Sequence, residues 1–101
     1  MIKVMVERHV KQGQDISQLL RQIRAAALTS YGGFISGETL IDIEDSSVIV
    51  TISTWHKLED WERWAASDTR AKMYQKIEPF LVEKPKVRRF QIAVTEHKAE
   101  T

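Results

Sequence analysis

The feature that most constrains this chain is an apolar strand that runs almost directly into an amphipathic helix. Val48–Trp55 is rich in β-branched residues, which is typical of a strand in the centre of a sheet. Just beyond it, apolar side chains recur with the spacing of one helical face, at Leu58, Trp61, Trp64 and Ala65. All three tryptophans of the chain lie in this stretch. The pattern predicts a helix that lays an aromatic face back on the sheet.

The remaining elements are predicted from the 3.6-residue period of helices and the two-residue alternation of strands. Residues 15–28 carry apolar side chains on one helical face, with Asp15 as the predicted N-cap. Ser67 is predicted to cap a further helical segment, which Pro79 ends near residue 78. Three more segments alternate in the manner of strands, namely residues 2–9, 34–43 and 87–94.

Glycines mark two special places in the backbone. Gly32 and Gly33 follow the first helix and are free to take the left-handed conformation that ends a helix or makes a sharp turn. Gly37 lies inside the second strand, where glycine indicates either a β-bulge or a close approach to the backbone.

The order of elements is β-α-β-β-α-β. With a right-handed crossover in each βαβ half, this order gives a four-stranded antiparallel sheet in the spatial order 4-1-3-2, with both helices on one face. We therefore predict an α+β fold of the ferredoxin-like sandwich type. We expect one domain over residues 1–101, with a core at 2–94 and a polar tail at 95–101.

The second face of the predicted sheet is also apolar, and no helix is left to cover it. The residues that indicate this are Ile41, Ile43, Phe90 and Ile92. A bare apolar face of this size usually marks an interface. The sequence therefore predicts a homodimer that forms sheet to sheet.

Composition argues against several classes of partner. Fifteen basic and fourteen acidic residues leave a formal net charge of +1, so no strong overall attraction to nucleic acid or an anionic membrane is expected. The chain has no cysteine and therefore no disulfide, thiolate nucleophile or cysteine-based metal site. No apolar run approaches the roughly 18 residues of a membrane span, and no signal-like segment is evident. We expect a cytoplasmic protein that binds neither nucleic acid nor membrane.

Three segments together resemble the antibiotic biosynthesis monooxygenase (ABM) family of the dimeric α+β barrel superfamily. They are YGGFISGETL at residues 31–40, ISTW at 52–55 and LEDWERWAAS at 58–67. The family typically shows Gly-Phe at the start of strand two and Trp at the end of strand three. A helix with a second aromatic residue and a small-residue–Ser break then follows. The resemblance covers most of the chain, residues 2–94, and implies the same dimeric barrel.

The resemblance also implies a reaction. In the family's chemistry a phenol or quinol is deprotonated, and its electron-rich anion reduces O₂ without a metal or flavin. The protein then needs a dry aromatic pocket, a group that takes or holds the proton, and donors for the developing oxyanion. We therefore expect a monooxygenase with no cofactor and a small aromatic or quinol ligand. The candidate catalytic residues are Trp64, Tyr74, His9 and Arg8, and the candidate substrate-binding residues are Phe34, Trp55, Trp61 and Met73.

The haem-degrading branch of the family is a lesser alternative. Its pattern has an asparagine near the end of strand one, and a tryptophan and an iron-binding histidine on helix two. Trp64 matches the tryptophan, whereas Tyr74 stands at the histidine position, and Arg8 or Glu7 stands at about the asparagine position. Two of the three residues are absent. Tyrosine binds haem iron in other folds, so haem remains a minor alternative.

Each candidate also has a purely structural interpretation. A non-catalytic dimeric protein that binds a small ligand would keep the same fold, and the sequence ranks it nearly equal to the enzyme. Trp61 is expected in the core and Trp64 at the pocket. Tyr74 would otherwise lie at a helix edge with its hydroxyl in water, and Arg8 is expected at the solvent rim. We expect His9, His56 and His97 to lie on the surface.

Overall fold

The computed structural model describes residues 1–30 and 32–98, and its elements follow the predicted order. The strands are β1 (Ile2–His9), β2 (Phe34–Ile41), β3 (Val48–Trp55) and β4 (Lys86–Gln91). The helices are α1 (Ser17–Ser30), α2 (Leu58–Ala65) and α3 (Asp68–Ile77), followed by a 3-10 turn at Glu78–Phe80. The antiparallel sheet has the order β2-β3-β1-β4, which is the predicted order counted from the other edge. The ferredoxin-like α+β fold is confirmed.

The strand predicted over residues 34–43 ends at Ile41 because the next side chain, Asp42, bonds to the backbone just after it. The Asp42 carboxylate accepts hydrogen bonds from the amides of Glu44 and Asp45, at 2.8 and 3.0 Å. Such bonds turn the chain locally and compete with the ladder of the sheet. The hairpin between β2 and β3 therefore begins two residues earlier than predicted.

The last strand, β4, is also shorter than predicted, because its pairing partner β1 begins only at Ile2. Gln91 pairs with Ile2, the first residue of β1, and the amide of Ile92 donates one further hydrogen bond to the Met1 carbonyl at 3.1 Å. The strand predicted over residues 87–94 thus ends at Gln91. Residues 95–98 have no regular secondary structure, and the rest of the predicted tail, residues 99–101, lies outside the described residues.

Ser67 separates α2 from α3, as predicted. Its hydroxyl accepts a hydrogen bond from the Arg70 amide at 3.2 Å and donates one to the Trp64 carbonyl at 2.7 Å. At α1 the Asp15 carboxylate accepts from the Ser17 amide at 2.9 Å, so the regular helix begins two residues after the predicted start.

Every helix in the described part of the chain is too short or too polar to cross a bilayer.

The connection from α1 to β2 depends on a glycine that packs against α2. Gly33 has a φ of 86°, in the left-handed region. A side-chain carbon at this position would collide with the side chain of Asp60. The Gly33 carbonyl also accepts a hydrogen bond from the His56 amide at 2.8 Å. These contacts hold the start of β2 beside the end of β3, where Phe34 pairs with Trp55.

The helices pack on the sheet face that carries the buried side chains of β1. One core cluster joins β1 and β3 to α1 and α2, through Val4, Val6, Ala27, Trp55 and Trp64. A second cluster lies towards the other end of the sheet and contains Val10, Ile16, Leu20, Ile77 and Leu81. This layer of apolar contacts surrounds the polar groups of the candidate site.

The opposite sheet face, here called the open face, differs from the prediction in its members. Ile41 pairs with Ile49 on the helix-facing side, and Ile43 lies beyond β2 with 98% of its surface exposed. Ile92 follows the end of β4, so of the four predicted residues only Phe90 lies on this face within a strand. Strand pairing and the alternation of side chains place four further apolar residues on the open face, namely Met5, Leu40, Val50 and Ile52.

Candidate functional site

A cavity of about 70 Å³ lies between the helices and the sheet. Its walls are mainly apolar and aromatic, but they also include three arginines. The candidate residues identified from the sequence all line it, except His9 and Met73. The full lining is Val4, Val6, Arg8, Leu20, Ile23, Arg24, Ala27, Phe34, Gly37, Glu38, Thr39, Thr51, Ile52, Ser53, Trp55, Trp61, Trp64, Arg70 and Tyr74.

Aromatic side chains form one wall of the cavity. Trp55 is 1% exposed, and its Nε1 donates a hydrogen bond to the Ser53 hydroxyl at 2.9 Å. The Phe34 ring meets it edge-on, with 5.3 Å between the ring centres. Trp64 is 4% exposed and belongs to the core, whereas Trp61 is only half-buried. The expectation placed Trp61 in the core and Trp64 at the pocket. In the structure Trp64 is the more deeply buried of the two, although both line the cavity.

A bulge and a glycine make room for Phe34. The register between β2 and β3 shifts between Phe34 and Ser36, so the β-bulge lies before Gly37 and not at it. Gly37 instead provides a close approach, because a side-chain carbon there would lie 3.2 Å from the tip of the Phe34 ring. The absent side chain lets this ring lie against the strand beside Trp55.

Arg8 is a charged group buried in the cavity wall. Only 2% of it is exposed, so the expected position at the solvent rim is wrong. Alternation along β1 places it on the same face as Val4 and Val6, which are both buried. Its Nη1 donates to the Thr51 hydroxyl at 3.3 Å, and its Nε has no hydrogen-bond partner among the described residues. Because burial removes water from the guanidinium, the pKa of Arg8 is lowered.

Tyr74 lies close to a second guanidinium group as well. The Cζ of Arg8 is 5.0 Å from the centre of the Tyr74 ring, and the Cζ of Arg70 is 4.0 Å from it. Nη1 of Arg70 donates to the Ala65 carbonyl at 3.2 Å, which holds this side chain in place. Besides the main effect of burial, Tyr74 raises the pKa of Arg8 and the positive charge of Arg70 lowers it. The half-buried tyrosine is therefore part of the cationic site and not a free helix edge.

Neither arginine has a carboxylate partner in the described part of the chain. The ion pairs there are Arg63–Asp60 at 2.7 Å and Lys86–Glu7 at 4.0 Å, both away from the cavity. Glu38 lines the cavity but is exposed and pairs with neither guanidinium. The cavity thus contains an excess of positive charge.

The cavity meets solvent at the edge between α1 and β2. The lining residues Arg24 and Thr39 at this edge are exposed, in contrast to Arg8, whereas Glu38 pairs with Ile52 on the open face. Nη2 of Arg24 donates to the Thr39 hydroxyl at 2.9 Å and so links α1 to β2. A ligand that enters here passes polar side chains before it reaches the aromatic wall.

The other sequence candidates lie outside the cavity. His9 pairs with Val48 at the end of β1 and is half-buried, as is Met73 on α3. His56 and His97 are exposed, as expected. Within the described residues, no three His, Cys, Asp or Glu side chains converge in a way that could hold a metal ion.

Two lining residues that interact with Arg8 were not among the candidates from the sequence. Arg70 lies four residues before Tyr74 on α3, and this spacing places both side chains on one helical face. That spacing is the signal that could have identified it. Thr51 pairs with Val6 across the sheet, and nothing in the sequence alone singles it out from the other β-branched residues of β3.

The size of the cavity limits what it can hold. Its volume of about 70 Å³ is well below the roughly 150 Å³ of an apolar cavity that binds benzene. A single small ring therefore needs a slight movement of the half-buried walls, and a porphyrin, which has four pyrrole rings, is far too large. The arrangement does not fit haem.

Comparison with known proteins agrees with the fold and names the family. The family model for antibiotic biosynthesis monooxygenase matches residues 1–76. No curated protein sequence matches the chain significantly.

Solved structures with low sequence identity share the architecture. SnoaB, a cofactor-independent oxygenase from Streptomyces nogalater, has a TM-score of 0.79 at 14% identity, over 93% of this chain and 95% of that one. A conserved protein from Methanosarcina mazei Go1 has a TM-score of 0.80 at 15% identity, over 89% and 90%. An antibiotic biosynthesis monooxygenase structure has a TM-score of 0.80 at 14% identity, over 93% and 100%. These structures show the fold, and the family match covers most of the chain. The chain belongs to the antibiotic biosynthesis monooxygenase family.

Proposed function

We propose that the protein is a cofactor-independent monooxygenase that oxidises a small aromatic or quinol substrate with O₂. The observation that carries the proposal is Arg8, a buried guanidinium with no carboxylate partner among the described residues, in the wall of an aromatic cavity. Charge-assisted hydrogen bonds from arginine to an anionic oxygen are about twice as strong as neutral ones. The description of SnoaB as a cofactor-independent oxygenase supports the absence of a cofactor.

Arg8 acts at the step in which the substrate becomes an anion. With the substrate hydroxyl at the guanidinium, the phenolate is favoured over the phenol, and its proton leaves to water at the mouth of the cavity. The electron-rich ring then reduces O₂, and a C–O bond forms. One oxygen atom enters the quinone product and the other leaves as water, with all four electrons supplied by the ring. Trp61, Trp64 and Phe34 keep bulk water away from the reacting anion.

Oxygen uptake with a panel of single-ring hydroquinones tests this proposal. We expect consumption above the spontaneous rate with at least one of them, at one O₂ per quinol. Arg21→Gln changes an exposed arginine of α1 outside the cavity and is expected to keep the rate. Silence across the whole panel, in protein that still binds the same compounds, would contradict the enzyme.

A non-catalytic ligand-binding protein is the second candidate, and the acid–base content of the cavity favours it. Among the described residues that line the cavity there is no histidine, and the one carboxylate is the exposed Glu38. General acid–base catalysis works best with a group whose pKa is near the working pH, most often histidine. A cationic aromatic cavity without such a group can bind an anion and leave it unchanged.

We also propose that the protein is a homodimer joined through the open face. An apolar patch there extends over all four strands, and no helix of the described chain covers it. Its edge members Leu40 and Phe90 are 43% and 42% exposed. Between them lie Met5, Val50 and Ile52. Lys3 and Arg88 lie among these residues, opposite Phe90 and Met5, but an exposed apolar face that no helix covers usually marks an interface.

Leu40→Lys is expected to weaken this dimer at least about tenfold, because the change places a charge in an apolar interface. Ile41 provides a matched control, because it is the next residue of β2, points to the opposite face and is 62% exposed. Light scattering at micromolar concentration should give twice the chain mass for the wild type and for Ile41→Lys. A monomeric wild type, or equal effects of the two changes, would contradict the open-face dimer.

A further inference from the structure

We infer that Arg8 and Arg70 form an anion site inside the cavity, and that its ligand is a small aromatic carboxylate, already charged before any reaction. The inference rests on the proposed function for the choice of cavity. It goes further in naming a substrate class, because a neutral hydroquinone and an aromatic acid that carries a phenolic hydroxyl beside its carboxylate would both satisfy the reaction proposed above.

The first support is the unmet bonding capacity of Arg8. A guanidinium has five N–H donors, and at 2% exposure this one cannot direct them to bulk water. Thr51 accepts one hydrogen bond, the Tyr74 side chain is a second hydrogen-bond partner, and the Nε has none in the described part of the chain. A buried charge without a counterion is unfavourable, so such groups normally have an ionic partner. A neutral phenol could accept one hydrogen bond but would leave the charge uncompensated.

The second support is the presence of Arg70 on the same side of the cavity. Both guanidinium groups lie against the Tyr74 ring, at 5.0 and 4.0 Å from its centre, and both line the cavity. The ring attracts each cation through its π face, and the ion pairs among the described residues include a partner for neither guanidinium. The mutual repulsion of Arg8 and Arg70 opposes the charged state of Arg8, and a bound anion relieves that repulsion. Two cations held together in this way favour a ligand with a full negative charge.

The rest of the cavity selects an aromatic ring of limited size. Phe34, Trp61 and Trp64 line it, and flat rings pack well against such walls in edge-to-face contact. A volume of about 70 Å³ admits one ring only with a slight movement of the half-buried walls, so a bulky head group is disfavoured. A planar carboxylate also matches the fork of a guanidinium, to which it binds through two parallel hydrogen bonds. These features together favour a benzoate-like ligand over a bulky tetrahedral phosphate ester.

Matched ligands that cannot be oxidised test the inference separately from catalysis. Benzoate and benzyl alcohol have similar size, but only the first is an anion. Titrations followed by tryptophan fluorescence, with calorimetry as a second readout, should show benzoate binding at least about tenfold tighter. Phenyl phosphate is the tetrahedral comparison and should bind more weakly than benzoate. Equal affinity for benzoate and benzyl alcohol would overturn the anion site, and tighter binding of phenyl phosphate would overturn the carboxylate.

Variants assign the selectivity to the two arginines. Arg8→Met should remove the preference for benzoate and leave the affinity for benzyl alcohol nearly unchanged. Arg70→Gln, at a half-buried position that is less demanding for folding, should reduce the affinity for benzoate about threefold or more. Arg21→Gln on the surface of α1 should change neither. Undiminished selectivity in both Arg8→Met and Arg70→Gln would overturn the assignment.

Oxygen uptake with gentisate, a hydroquinone that carries a carboxylate, separates the inference from the proposed function. Faster turnover of gentisate than of hydroquinone at low concentration supports both. Tight benzoate binding without oxidation of either quinol supports the anion site and contradicts the enzyme. Oxidation of hydroquinone with no preference for benzoate or gentisate overturns the anion site and leaves the enzyme intact.

Discussion

Arg8→Met is expected to be more stable than the wild type and nearly inactive. Methionine fills the space of the arginine stem without its charge, and replacing buried ion pairs or triads by apolar residues is often neutral or stabilising, by up to about 4 kcal/mol. For a domain of this size each kcal/mol raises the melting temperature by about 4–8 °C. Thermal and urea unfolding measure the gain in the free energy of unfolding.

The gain should not depend on pH near neutrality, because arginine stays protonated there in both the folded and the unfolded protein. Burial lowers the pKa of Arg8, so the charged form is less favourable in the folded than in the unfolded protein. For a base whose pKa is lowered on folding, this destabilisation is fully present below the folded-state pKa, where both states are protonated. It is relieved only as the pH rises past that value. The stability difference between Arg8→Met and the wild type is therefore constant at every lower pH.

Activity should change in the opposite direction. Removal of one preorganised donor to an oxyanion typically lowers kcat by about 100- to 1000-fold, and Arg8 supplies a full charge as well as the donor. Oxygen uptake with whichever quinol is most active in the wild type provides the measurement.

Two variants control this comparison. Arg21→Gln should alter neither stability nor rate, because it changes an exposed arginine outside the cavity. Arg8→Lys keeps the charge but loses the planar fork, so it should recover part of the rate and none of the stability gain. A less stable Arg8→Met would show that the protein itself satisfies the guanidinium, and the case for a ligand counterion would fall.

The fold could be predicted because local preference and overall topology agree. Val48–Trp55 is β-branched and central, Ser67 caps a helix, and the order of elements permits few sheet topologies. The errors lie at element ends, where side chains bond to nearby backbone. Asp42 ends β2 and Asp15 delays α1 in this way. Periodicity alone does not detect such bonds.

The orientation of Arg8 was not predictable by the same rules, because two of them conflict. Alternation after Val4 and Val6 places it inward, whereas the high free energy of a buried, unpaired cation places it at the rim. The structure follows alternation. Local rules are most often broken at functional sites, where a ligand supplies what the protein lacks. The conflict itself was therefore the most informative signal that the sequence contained about the site.

Trp64→Ala is expected to destabilise the protein by about 3–5 kcal/mol, the usual effect of truncating a buried large aromatic side chain. Trp64 is 4% exposed and joins the core cluster of β1, α1 and β3, so its removal leaves a cavity that these elements cannot close. Domains of this size are stable by only about 5–15 kcal/mol, so the loss is a large share of the total. Urea unfolding followed by circular dichroism should show a lower midpoint with an unchanged slope.

Trp61→Ala is the matched comparison, because the same side chain is removed three residues earlier on the same helix. Trp61 is half-buried, so its truncation removes fewer core contacts. Part of its ring faces a polar side chain instead, with the Cζ of Arg89 at 5.6 Å from the ring centre. We expect it to lower the free energy of unfolding by about 1 kcal/mol and to affect mainly the binding of an aromatic ligand. Equal losses of stability in the two variants would mean that α2 packs both rings into the core. In that case Trp61 would have no separate role at the cavity, and the aromatic wall would be a structural feature rather than part of the binding site.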